Sequence, residues 1–129
     1  MDPIAEVLTR DSRIAYALIF GSVARGVSQT GSDLDIAIGV QPGVPYSVQE
    51  VGSLVADLER EAGRRVDLVI VNDASPAVAY RIFRDGAPLF VRNTGLLVAQ
   101  KTRAILDYLD FRPVEQTATR GALAAAARG

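Results

Sequence analysis

Two aspartates, Asp33 and Asp35, open the apolar run "DLDIAIGV" (33–40), and a third, Asp67, interrupts "RRVDLVIVN" (64–72). In an extended strand residues i and i+2 share a face. Asp33 and Asp35 therefore project side by side, while Leu34, Ile36 and Ile38 face the other way. Asp67 lies on the face of Val69 and Val71. If these two strands are neighbours, the three carboxylates converge on one surface. Clustered like charges repel, and burying them is costly unless a cation sits between them. The chain contains no histidine and no cysteine. That excludes a Ser-His-Asp triad, a histidine general base, thiolate metal sites and disulfides. An oxygen-only donor set selects a hard divalent ion, Mg²⁺ or Mn²⁺, which bridges carboxylates to substrate phosphates.

The run "RIAYALIF" (13–20) ends in the pair Gly21-Ser22. Glycine lets a backbone approach a phosphate closely, and the serine hydroxyl with free N–H groups can hold its oxygens. Arg25, in the same loop, is either a phosphate contact or a solvated loop arginine. A phosphate cradle beside a carboxylate metal site is equipment for phosphoryl or nucleotidyl transfer. Two ions there polarise the phosphorus centre and stabilise the attacking and the leaving oxygen. Each part alone has an ordinary alternative: a plain turn, an Asp at a strand start, an Asp67 paired with Arg64 or Arg65. Their order and spacing together favour the chemical reading.

The elements that must position these residues follow from pattern. Residues 3–10 read as a short helix with Asp2 as N-cap and Pro3 in the first helical position. Residues 13–20, 33–40, 64–72 and 87–91 read as strands. The segment 22–32 is small and polar, with glycines at 26 and 31 after Gly21, and reads as a turn with room for one helical turn. Ser47 and Glu50 form a capping-box signature ahead of a periodic helix that ends at Gly63. Ser75-Pro76 opens another helix that runs to Gly86. Residues 95–110 read as an amphipathic helix with Leu97, Ile105, Leu106 and Leu109 on or near one stripe. At helical spacing such a stripe suits a core; with Phe111 and Pro113 it could instead offer a partner surface. Alternating strands and helices give an α/β (α+β) layer structure. The expected organisation is one domain over residues 1–113 and an Ala-rich tail over 114–129, frayed or disordered for want of large apolar residues.

At 49% hydrophobic and 22% charged residues the chain is an ordinary globular one. Its net charge of −1 argues against direct, charge-driven nucleic-acid binding. No apolar stretch reaches the roughly 18 residues of a membrane span. Asp2, Glu6 and Asp11 stand where a signal peptide would be basic. A cytoplasmic location is the expectation.

"GSVARG" followed by "SDLDIAI" and a single Asp in a later strand resembles the DNA polymerase β-like nucleotidyltransferase superfamily. Within it, "VDLVIVNDASPAVAYRIFRDGAPLF" and "YLDFRP" resemble segments of minimal nucleotidyltransferase (MNT) antitoxins that pair with HEPN-domain toxins. The resemblance covers roughly residues 13–113. It implies a small mixed sheet flanked by helices, with the active site on an open sheet face. It implies that Gly21 and Ser22 bind the β- and γ-phosphates of a nucleoside triphosphate and that Arg25 contacts the triphosphate. Asp33 and Asp35 would ligate two catalytic Mg²⁺ ions, and Asp67 would complete one metal site and help activate the attacking hydroxyl. It further implies an antitoxin that transfers AMP from ATP to a tyrosine hydroxyl of a HEPN RNase toxin. The length leaves little room for an acceptor-binding domain, so the acceptor is expected to come from another macromolecule. Two other functions compete: a non-catalytic antitoxin that masks the toxin by contact, and nucleotidyl transfer to a small molecule or RNA.

Overall fold

A computed structural model describes residues 2–21 and 33–118, the last eight of these as backbone alone. Helix α1 (Pro3–Thr9) begins where the Asp2 carboxylate accepts the Ile4 N–H at 2.8 Å and Pro3 takes the first helical position. Strand β1 (Ile14–Phe20) follows, then β2 (Leu34–Val40). Helix α2 (Val48–Ala62) is held at its start by the Ser47–Glu50 capping box and at its end by Gly63, whose left-handed φ of 67° needs no Cβ. Strand β3 (Val66–Ile70) runs into a 3₁₀ turn (Val71–Asp73). Helix α3 (Pro76–Asp85) is capped by the Ser75 hydroxyl, β4 spans Ala87–Val91, and α4 spans Thr94–Ala118.

The four strands form one mixed sheet in the order β3-β2-β1-β4. β1 pairs antiparallel with both β2 and β4, whereas β2 and β3 are parallel. A parallel pair needs a crossover connection, and α2 supplies it. Helices cover both faces, so β1 and β2 are buried and read as nearly continuous apolar runs. On one face Ile4 and Leu8 of α1 and Leu54 and Leu58 of α2 pack on Leu34, Ile36 and Ile38. On the other, Ala79, Ile82 and Phe83 of α3 and Ala104 of α4 surround Tyr16, Leu18 and Ala37. Tyr16 is fully buried, and its hydroxyl donates to the Gln100 side chain of α4. A Cβ on Gly39 would fall 2.1 Å from the Tyr16 ring, so glycine is what admits the ring against β2.

Three features differ from expectation. β3 is shorter than 64–72, because Asn72 leaves the ladder and uses its side chain instead. Its Oδ1 accepts the Val40 N–H at 2.9 Å, and its Nδ2 donates to the Val40 carbonyl at 3.0 Å. α4 starts at 94 because the Asn93 side chain accepts the Leu96 N–H, and it continues to Ala118, past the expected helix end at 110. Residues 119–129 lie outside the described residues. Finally, Leu97 packs on the sheet side with Leu96, but Ile105, Leu106 and Leu109 are 37%, 55% and 50% exposed. Leu106 is nine residues beyond Leu97, which at about 100° per residue is half a turn away from the docked side.

Candidate active site

Topology alone gathers the reactive residues. β1 ends at Phe20, and because β2 returns antiparallel, its beginning lies there too: Phe20 pairs with Asp35. Because β3 is parallel to β2, its beginning also lies there: Asp35 pairs with Asp67. Neighbouring strands stand about 4.8 Å apart, and paired residues share a face. The two carboxylates therefore project side by side from one end of the face that α3 and α4 cover farther along. Asp67 is exposed and Asp35 half-buried.

Asp33 stands just before β2, exposed, with the strand start fixed by the Leu34 N–H donating to the Arg65 carbonyl at 2.8 Å. Among the described residues no three acids stand close enough together to hold a metal ion. What the sheet brings together is the pair Asp35–Asp67, with Asp33 at its margin. A pair suits Mg²⁺, which takes one or two carboxylates and completes its shell with phosphate oxygens and water.

Gly21 follows β1 directly, with φ at +76°. A Cβ there would fall 2.2 Å from Oδ2 of Asp35. The glycine thus adopts a backbone conformation that L side chains avoid and leaves room for the carboxylate. Ser22 and Arg25 lie outside the described residues.

Gly21 also lines a cavity of about 170 Å³, together with Phe20, Val78, Arg81 and Asp85. The spacing of Val78, Arg81 and Asp85 places them on one face of α3. That face is legible in the sequence, but its proximity to Gly21 depends on how α3 packs. A larger cavity of about 530 Å³ opens at the opposite end of β1, around Arg13, Tyr46 and Glu50. Its Arg13 is committed: it forks onto Asp11 with two 2.9 Å bonds and also contacts Glu50. The paired carboxylates lie at the Gly21 end.

A mixed sheet that sets paired carboxylates beside a positive-φ glycine is the frame of a nucleotidyl-transfer core. The family model for polymerase beta nucleotidyltransferases matches residues 2–95, and the chain belongs to that family. A crystal structure of a toxin–antitoxin with AMP-PNP is similar at a TM-score of 0.78 and 21% identity, over 92% of this chain and 94% of that one. A MntA–HepT toxin–antitoxin structure is similar at 0.72 and 19%, over 91% of both chains. A structure of the tri-AMPylated Shewanella oneidensis HEPN toxin in complex with MNT antitoxin gives 0.72 and 19%, over 91% and 90%. At these identities the likeness is one of fold. A comparison with curated protein sequences finds no match. Among the described residues no helix is long and apolar enough to cross a membrane.

Proposed function

We propose that this nucleotidyltransferase is a cytoplasmic antitoxin that inactivates a HEPN RNase toxin by transferring AMP from ATP to one of its tyrosine hydroxyls. The observation that carries this reading is the Asp35–Asp67 pair set against Gly21. In the reaction the tyrosine oxygen bonds to the α-phosphorus, the α–β phosphoanhydride breaks, and pyrophosphate leaves with the triphosphate's remaining charge. Asp67, the exposed member of the pair, takes the hydroxyl proton. Asp35 and Asp67, with Asp33 beside them, are the ligands for Mg²⁺, one ion or two. When bound, the metal polarises the α-phosphate and offsets charge on the leaving oxygen. Gly21 and Ser22 grip the β- and γ-phosphates, with Arg25 in the same loop.

Support for a toxin as acceptor comes from the toxin–antitoxin structures that share this fold over nine-tenths of its length. It comes also from Val98, Ile105, Leu106 and Leu109, which line one exposed side of α4. The same apolar stripe favours a second reading, in which the chain neutralises the toxin by contact alone. Intact-mass spectrometry of the cognate toxin after incubation with this chain, ATP and Mg²⁺ separates the two. Addition of AMP on tyrosine supports the transfer; an unmodified but inactive toxin supports masking by contact.

A further inference from the structure

We infer that Arg81 is a nucleotide-binding residue that holds the β- and γ-phosphates from the α3 side. This rests on ATP being the substrate of the site. Gly21 lines the cavity that Arg81 also lines, and the Asp35 carboxylate lies against the same glycine. A triphosphate held at Gly21 meets acids, through metal, at its α end, and needs a cation for its β- and γ-phosphates. Arg81 is exposed and has no hydrogen bond or ion pair among the described residues. The adjacent Arg84 is already engaged: it forks onto Asp85, the acid that lines the cavity among the described residues, with two 2.9 Å bonds. The sole lysine, Lys101, is on α4. An arginine with its fork uncommitted, at a cavity lined by Gly21, fits the oxygens of a terminal phosphate.

The test is equilibrium titration of the full chain with AMP-PNP and, separately, with AMP, each with Mg²⁺, for wild type, Arg81→Ala and Arg81→Lys. Charged hydrogen bonds to phosphate predict that Arg81→Ala binds AMP-PNP at least about tenfold more weakly. Its affinity for AMP, which lacks those phosphates, changes less than about twofold, and Arg81→Lys recovers part of the loss. The melting temperature stays within a degree or two, since the side chain is exposed. Equal AMP-PNP affinity in Arg81→Ala and wild type overturns the assignment. So does a loss that falls equally on AMP. If wild type binds neither nucleotide, the substrate reading falls and the assignment with it.

Discussion

A single methyl group on Gly21 would lie 2.2 Å from Oδ2 of Asp35, so the glycine after β1 and the carboxylate on β2 are built as one unit. Gly21→Ala should therefore damage chemistry more than folding. The Asp35 carboxylate must swing aside, and the backbone at φ +76° is strained by about 1–2 kcal/mol. Nucleotidyl transfer should fall at least about tenfold while the melting temperature drops by only several degrees. Transfer assays beside a thermal melt check both; unchanged transfer would mean that the glycine does not guard the carboxylate.

Asn72 replaces a strand residue with a side chain, and its two bonds to the Val40 backbone continue the β2–β3 pairing past Ile70. Asn72→Ala leaves one backbone donor and one acceptor without those partners. Urea unfolding should show a loss of about 2 kcal/mol with an unchanged slope. Because Asn72 sits at the far end of β3 from Asp67, ATP binding should stay as in wild type.

Acid sensitivity should trace to the start of β1. The Arg13 hydrogen bonds hold the Asp11 carboxyl below its ordinary value of 3.8. The Ser47 backbone N–H, then Arg13, does the same for Glu50. A carboxyl depressed in the folded state contributes stability that is present above its unfolded pKa. That stability is lost as pH falls through the folded value. Stability should thus decline below about pH 4. Asp11→Asn should flatten that decline while lowering stability at neutral pH. A variant with the same acid limb as wild type would place the effect elsewhere.

Much of the fold is legible in the amino-acid order alone. The capping box at Ser47–Glu50, the Pro76 helix start and the strand 87–91 are each announced by local chemistry that tertiary contacts do not override. Asp33 and Asp35 stand out because a buried strand does not ordinarily carry acids. Their partnership with Asp67 depends on β2 and β3 being neighbours, and strand order is set by packing that periodicity does not encode. Arg81 escapes sequence reasoning for a related reason. Its helical face is plain in the sequence, but not the end of the sheet it meets. The stripe on α4 shows the converse limit. Helical spacing marks Leu106 and Leu109 as belonging together but not which side of the helix finds a neighbour.

That stripe makes a prediction of its own. Leu106→Asp and Leu109→Asp alter residues that are 55% and 50% exposed, so the isolated chain should melt within a degree or two of wild type. Under the proposed pairing, affinity for the HEPN toxin, followed by calorimetry, should weaken at least about tenfold. Intact affinity would place the toxin on another surface.

The most direct measurement of toxin inactivation by AMP transfer is neutralisation by Asp35→Asn and Asp67→Asn. Both changes remove a negative charge from a crowded site, so each variant should fold as well as wild type or slightly better. Cognate toxin is incubated with each protein, ATP and Mg²⁺, and then assayed for RNase activity and for tyrosine-bound AMP. Transfer chemistry predicts an AMPylated, inactive toxin with wild type and an unmodified, active toxin with either variant. Full inactivation of the toxin by a folded Asp35→Asn chain, without AMP on the toxin, would contradict it.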